Sequence, residues 1–110
     1  NEFEGQLKKL SKKEGQILVK LIYRQTGSTT FDLIKEHKSG WKAFWSSRVA
    51  KLFNINPKAK YSPGSVPEDY HIEGFLLKGF ADRRLVKQDP AFTIDYAAIT
   101  KQWQEKNKKD

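Results

Sequence analysis

Residues 11–27 of the chain read SKKEGQILVKLIYRQTG, and this stretch decides the fold class. Ser11 and Glu14 have the spacing of a capping box, in which each side chain accepts a hydrogen bond from the other residue's backbone N–H. Apolar side chains then recur at helical spacing over 17–22. Gly27 is the residue type that most readily ends a helix in the left-handed conformation. The stretch therefore predicts an amphipathic helix between the box and the glycine.

Two more helices are predicted directly after this stretch. Ser28, Thr29 or Thr30 can cap a short second helix that ends near His37. The third helix carries an aromatic stripe at offsets typical of an amphipathic helix, which consists of Trp41, Phe44, Trp45, Val49, Leu52 and Phe53. We expect this stripe to pack against the apolar stripe of the first helix, because these are the two richest apolar faces of the chain.

The C-terminal half predicts two further helices and one small β feature. Ser65 and Glu68 have the spacing of a second capping box. The helix predicted after it carries Tyr70, Ile72, Phe75, Leu76, Leu77 and Phe80. A last helix is predicted from the helical spacing of Tyr96, Ile99 and Trp103. Between these two helices, residues 84–94 alternate in polarity, which is a pattern of a short β-hairpin.

Length and composition limit the fold to one ordinary domain. The chain has 110 residues, of which 37% are hydrophobic, and domains cluster near about 100 to 150 residues. We predict a mainly α fold, a small orthogonal domain of four to five helices over 1–110, with at most one short hairpin near 84–94. We expect residues 1–10 and 105–110 to fray and 54–64 to form an irregular crossing segment. Because the sequence contains no methionine, we also expect it to be the C-terminal part of a longer chain.

The sequence is poor in chemistry-bearing patterns. It has no cysteine, which excludes disulfides, thiolate metal sites and a cysteine nucleophile. His37 and His71 belong to no metal-ligand motif. Asp69, His71 and Glu73 alternate, and in a helix this spacing places His71 on a different face from the two carboxylates. We therefore predict no enzyme, no catalytic residues, no metal and no cofactor. No apolar run approaches the ~18 residues of a membrane span.

Positive charge is concentrated in the middle of the chain. The net charge is +8, and no Asp or Glu occurs between His37 and Pro67. The basic residues of this segment are Lys38, Lys42, Arg48, Lys51, Lys58 and Lys60. These residues are candidates for contact with an anion or a partner, or they form the solvated face of the third helix. The charge balance favours an acidic partner or an anionic surface.

Three polar residues near the first turn are predicted to have a structural role. Arg24 precedes the glycine turn, and Asp32 and Glu36 are four residues apart on the second predicted helix. Residues with this spacing lie on one helix face. An ion pair between Arg24 and one of these carboxylates would hold the first two helices together.

Four stretches carry a family resemblance: EGQILVKLIYRQTG at 14–27, TFDLIKE at 30–36, GWKAF at 40–44 and AKLF at 50–53. Together they resemble an uncharacterised bacterial domain-of-unknown-function family of exported cell-envelope proteins, over about residues 11–60. The resemblance implies a periplasmic or cell-envelope location. It implies no activity and assigns no functional residue.

The function expected from the sequence is a non-catalytic interaction or scaffold module of the bacterial cell envelope. It would act as an accessory subunit that docks on a protein partner, either acidic or membrane-associated. The alternative is a winged-helix-like nucleic-acid-binding domain, with the basic 38–60 segment on phosphates and the 84–94 hairpin as the wing. The aromatic face of the third helix argues against the alternative, since it leaves few side chains suited to base edges.

Overall fold

The computed structural model describes residues 9–36 and 55–109, and within these ranges the chain is helical without any strand. Four helices lie in these described ranges: α1 (Lys12–Thr26), α2 (Thr30–Glu36), α3 (Pro67–Ala81) and α4 (Tyr96–Lys109). The predicted mainly α fold is confirmed. The helix predicted over 41–53, with its expected aromatic packing, lies outside the described residues.

The chain divides into two compact units, Asn1–Lys60 and Tyr61–Asp110. The first contains α1 and α2, and the second contains α3 and α4. In the described ranges, no helix combines the length and the apolar character needed to cross a membrane. A division into compact units does not test whether the chain folds as one domain, so the single domain over 1–110 stays a prediction.

Helix α1 begins and ends as its sequence predicts. The Glu14 N–H donates to Ser11 Oγ over 3.1 Å, and the Ser11 N–H donates to Glu14 Oε1 over 3.0 Å. At the other end, Gly27 has a φ of 77° and donates its N–H to the Tyr23 carbonyl over 2.8 Å. Local sequence signals therefore fix both ends of this helix.

The core of the first unit forms where the 55–60 segment packs against α1. Val19 and Ile55 are buried, and Ile22, Ile34 and Ala59 pack against them. Gly15 permits this contact, because a Cβ at residue 15 would lie 2.5 Å from Ile55 Cδ1. No side chain other than glycine's hydrogen fits there without movement of Ile55.

Hydrogen bonds hold the 55–60 segment in place without regular secondary structure. The Gln16 side-chain amide donates to the Asn56 carbonyl over 3.2 Å and accepts from the Asn56 N–H over 2.9 Å. The Phe31 N–H donates to the Pro57 carbonyl over 2.9 Å. The described residues 55–64, within the predicted crossing segment 54–64, carry no helix or strand.

Helix α2 is capped by Thr29, whose hydroxyl accepts a hydrogen bond from the Asp32 N–H over 3.1 Å. The next residue, Thr30, is fully buried, and its hydroxyl has no hydrogen-bond partner in the described part of the chain. Thr29 is one of the three cap residues that the sequence offered, so this prediction is confirmed.

The prediction of a capping box at Ser65 and Glu68 is wrong, although the helix predicted to follow it is present. The N-cap of α3 is Val66, and Pro67 occupies the first helical position. Proline favours that position because its φ is already helical and it lacks the N–H that would go unpaired. The residue before Pro67 thus becomes the N-cap, which leaves Ser65 one position too early.

The hairpin predicted near 84–94 is also wrong, since this described segment contains no strand. The backbone N–H groups of Arg84 and Leu85 donate to the Gly79 carbonyl over 2.9 and 3.1 Å and so complete the end of α3. Pro90 has no N–H to give to a strand ladder. The alternation of polarity survives only as an alternation of partial burial at Pro90, Phe92 and Ile94.

Helix α4 packs on α3 through aromatic rings. The rings of Tyr70 and Tyr96 are stacked, with centroids 5.0 Å apart and an interplanar angle of 8°. The Trp103 indole N–H donates to the Pro63 carbonyl over 2.9 Å. These contacts join both helices to the 61–66 segment.

Candidate functional site

Helix α3 reverses the usual distribution of side chains. Its buried residues are two carboxylates, Asp69 at 1% exposure and Glu73 at 2%, whereas Phe75 is 75% exposed. Carboxylates are rarely buried unless they are paired, and burying one costs free energy that hydrogen bonds must offset. The inversion has two parts, a buried polar cluster and an exposed apolar surface.

The buried polar cluster connects the start of the second unit to α3. The Tyr61 hydroxyl donates to Glu73 Oε1 over 2.9 Å, and the Ser62 N–H donates to Asp69 Oδ2 over 2.9 Å. Each carboxylate therefore accepts a hydrogen bond from the 61–66 segment. The arrangement explains Asp69 and Glu73 as structural anchors, with no substrate required.

A second polar contact joins α3 to α4 beside this cluster. The hydroxyls of Tyr70 and Thr100 are 2.8 Å apart. Two hydrogen bonds lower the pKa of Tyr70: the bond with Thr100 has the larger effect, and the bond with Tyr96 has the smaller one. The hydrogen bond to Tyr70 and, to a lesser degree, burial raise the pKa of Tyr96. The two phenols and the Thr100 hydroxyl therefore form one hydrogen-bonded group between α3 and α4.

The exposed apolar surface lies at the C-terminal end of α3. It consists of Phe75, Leu85 at 47% exposure and Val86 at 83% exposure; we call these three residues the α3 C-terminal surface. Leu85 packs over Gly79, one helical turn after Phe75, and a Cβ at residue 79 would lie 2.7 Å from Leu85 Cδ1. The absence of a side chain at Gly79 thus lets Leu85 lie against α3, one helical turn after the position of Phe75.

The loop that carries Leu85 has a fixed backbone. The Arg83 N–H donates to the Phe80 carbonyl over 3.2 Å, and the Arg84 N–H donates to the Gly79 carbonyl over 2.9 Å. These two bonds form a Schellman motif, in which the residue after the C-cap is left-handed and usually glycine. Here that residue is Arg83, with a φ of 60°. A non-glycine residue costs about 1–2 kcal/mol in this conformation.

Exposed basic side chains neighbour the apolar residues in sequence. Residues 75–87 include four basic side chains and one acidic side chain. The basic residues are Lys78, Arg83, Arg84 and Lys87, and all four are exposed. The 75–87 segment therefore combines exposed apolar side chains with an excess of positive charge.

The predicted basic contact residues are only partly described. Lys38, Lys42, Arg48 and Lys51 lie outside the described residues, so their role stays a prediction. Lys58 and Lys60 are exposed in the 55–60 segment. The Lys58 ammonium lies 4.8 Å from the centroid of the Phe31 ring, a distance typical of a cation–π contact. Lys58 therefore has a structural partner within its own unit.

The predicted polar pair is described in part. Arg24 is buried and donates a hydrogen bond from its guanidinium to the Gln25 side chain. Asp32 and Glu36 are exposed on α2. The ion pair between Arg24 and one of these carboxylates stays a prediction.

The motif that carried the family resemblance has a structural explanation at several positions. Gly15 makes room for Ile55, Gln16 binds the backbone of Asn56, and Gly27 ends α1. These residues build the first unit. They provide no group that points to a substrate.

Sequence reasoning placed Phe75 in the apolar set of its helix and set aside Asp69 and Glu73. Helical spacing alone does not distinguish a helix that faces its neighbours with carboxylates from one that faces them with phenylalanine. The available signal was the i, i+4 spacing of the two carboxylates, which places them on one face. Their burial depends on Tyr61 and Ser62, which supply hydrogen bonds from outside the helix.

The described residues, 9–36 and 55–109, form helices joined by irregular segments, and among them no three His, Asp or Glu side chains are grouped as metal ligands. The chain belongs to the family described as "Domain of unknown function (DUF4294)", whose match covers residues 1–78. The match is longer than the 11–60 region on which the resemblance was based. It includes Phe75 and ends before Leu85 and Val86. No curated protein and no solved structure matches the chain.

Proposed function

We propose that this chain is a non-catalytic helical module that docks on a protein partner through the α3 C-terminal surface. The observation that carries the proposal is the inversion of α3, which buries Asp69 and Glu73 and leaves Phe75 in solvent. An exposed phenylalanine forgoes about 1.5–3 kcal/mol of burial free energy. Clustered exposed apolar side chains with a polar rim are typical of interaction sites.

The compartment is part of the proposal. We place the module in the bacterial cell envelope, as an accessory or scaffold subunit. The sequence resemblance over 11–60 supports this location. Fractionation of the cell that naturally makes this protein, followed by detection with an antibody against the chain, tests the location. We expect the chain in the envelope fractions, and its recovery in the cytosol would contradict the proposal.

The winged-helix-like nucleic-acid-binding domain stays the alternative, with less support from the described residues. Its wing was the hairpin near 84–94, and the described residues of that segment form no strand.

Photo-cross-linking from residue 75 tests the docking function. A benzoylphenylalanine in place of Phe75 keeps an aromatic ring at the centre of the surface. In the producing cell we expect a discrete adduct between the chain and a second protein. The same probe at Glu105, an exposed position on α4, is the matched control and should give none. Equal labelling from both positions, or none from either, would contradict the proposal.

A further inference from the structure

The charge around the α3 C-terminal surface restricts which partner can bind there. Lys78, Arg83, Arg84 and Lys87 are exposed beside an apolar centre, and Asp82 is the one acidic residue of the 75–87 segment. A partner with basic side chains at its margin would bring like charges together. The same argument disfavours a second copy of this chain meeting the surface face to face.

The position of Arg83 adds a geometric argument. Its backbone is left-handed, where glycine would be free of strain, and the hydrogen bonds from Arg83 and Arg84 to α3 fix the loop. Strained residues that persist in folded proteins are concentrated at binding and active sites. A guanidinium held on a fixed backbone loses less freedom when it binds.

Arginine favours planar anions. Its guanidinium forms paired hydrogen bonds with carboxylates, whereas lysine acts as a point charge. The two arginines follow each other directly, next to Leu85 and Val86. The site therefore combines an apolar centre with donors suited to carboxylates.

We infer that the α3 C-terminal surface binds an acidic amphipathic helix of a partner protein. Apolar side chains of that helix contact Phe75, Leu85 and Val86, and its Asp and Glu side chains contact Arg83, Arg84 and Lys87. This inference rests on the proposed docking function and specifies the chemistry of the partner. An anionic lipid surface is the competing occupant, and the experiment distinguishes the two.

Calorimetric titration of the full chain with three synthetic helical peptides of about four turns tests the inference. The peptides share one Leu and Phe face and carry Glu, Gln or Lys on the other. We expect the Glu peptide to bind about three- to tenfold more tightly than the Gln peptide, and the Lys peptide most weakly. The preference for Glu should decrease between about 50 and 200 mM salt, because exposed charges are screened.

Two variants locate the effect. Arg83→Gly keeps the left-handed backbone and removes the guanidinium. It should therefore weaken binding of the Glu peptide and leave binding of the Gln peptide unchanged. Phe75→Ser should weaken both. Lys101→Ala, at an exposed position on α4, is the control and should change neither.

Three results would overturn the inference. Equal binding of the Glu and Gln peptides would remove the acidic preference, while a cross-link from residue 75 would still support docking. Binding to vesicles of anionic phospholipid, without binding to any peptide, would assign the surface to a membrane. Unchanged binding of the Glu peptide to Phe75→Ser would place its site elsewhere. Absence of a specific cross-link from residue 75 would instead count against the docking function itself.

Discussion

The side chain of Leu85 lies directly over the backbone of Gly79, so that a Cβ at residue 79 would come within 2.7 Å of Leu85 Cδ1. This contact places Leu85 one helical turn from Phe75. It turns the end of α3 into an apolar surface and depends on the missing side chain of one glycine.

Gly79→Ala tests this relationship. We expect the new methyl group to push Leu85 off the helix and to weaken peptide docking. Alanine favours a helix interior over glycine by about 1 kcal/mol, which offsets the lost contact, so the free energy of unfolding should change by less than that amount. Urea unfolding and the nuclear Overhauser contacts of the Leu85 methyls measure both effects.

The contrasting variant is Gly74→Ala. Its Cβ would lie 2.6 Å from the hydroxyl oxygen of Tyr96, whose ring is stacked on Tyr70. Overpacking costs about 1–3 kcal/mol, and the same helix gain of about 1 kcal/mol offsets part of it, so we expect a net destabilisation of up to about 2 kcal/mol. Equal effects of the two variants would contradict the view that Gly79 serves the surface and Gly74 the interior.

The capping box of α1 predicts a pH dependence. Hydrogen bonds from the backbone and the hydroxyl of Ser11 lower the pKa of Glu14 below its ordinary value of 4.5. The folded state therefore favours the carboxylate, so the stabilisation is present above the ordinary value and is lost as the pH falls through the lower folded value. We expect the difference in unfolding free energy between wild type and Glu14→Gln to shrink on acidification. A difference independent of pH from 7 to about 3 would show that Glu14 does not contribute in this way.

The amide of Gln16 predicts a local effect at Asn56. Gln16→Ala removes two hydrogen bonds to the Asn56 backbone, so we expect a loss of about 1 kcal/mol and faster hydrogen exchange at the Asn56 amide. Gln16→Glu keeps the acceptor for that N–H and should preserve its protection. Lys13→Ala, at an exposed position of α1, is the control. Unchanged exchange in Gln16→Ala would disprove the contact.

The buried cluster predicts unequal effects for two tyrosines. Tyr61→Phe removes a donor from the buried carboxylate of Glu73, and hydrogen bonds to charged groups contribute about 1.5–3 kcal/mol. Tyr70→Phe removes neutral hydrogen bonds with Thr100 and Tyr96 at a half-buried position, where water competes for both, so we expect a loss of about 1 kcal/mol in all. Chemical denaturation should therefore show the larger loss for Tyr61→Phe. The reverse order would mean that Glu73 does not depend on Tyr61.

The sequence was sufficient to predict the helix ends that depend on neighbouring residues alone. The Ser11 box, the Gly27 terminator and the Thr29 cap each act within one helical turn, and all three are present. The same reasoning failed at Ser65, where the proline two residues later moved the cap by one position. It also failed at 84–94, because Arg84 and Leu85 use their N–H groups to end α3.

The candidate site could not be predicted from helical spacing, because burial in α3 is decided by groups distant in sequence. Tyr61 and Ser62 stabilise the buried carboxylates, and Phe75 is left on the opposite face. The α3 C-terminal surface further depends on the left-handed backbone of Arg83. Sequence reasoning expects glycine at such a position, and an arginine there gives no signal.

The most direct measurement uses the absence of cysteine from residues 1–110. Val86→Cys places one thiol on the α3 C-terminal surface with little change in shape, and Glu105→Cys places the control thiol on α4. The rate of maleimide labelling is compared between the purified chain and a fresh extract of the cells that naturally make the protein. Docking predicts that residue 86 reacts rapidly in the purified chain and much more slowly in the cell extract, while residue 105 reacts equally in both. Equal rates for residue 86 in both samples, or slow labelling already in the concentrated purified chain, would contradict docking on a separate protein partner.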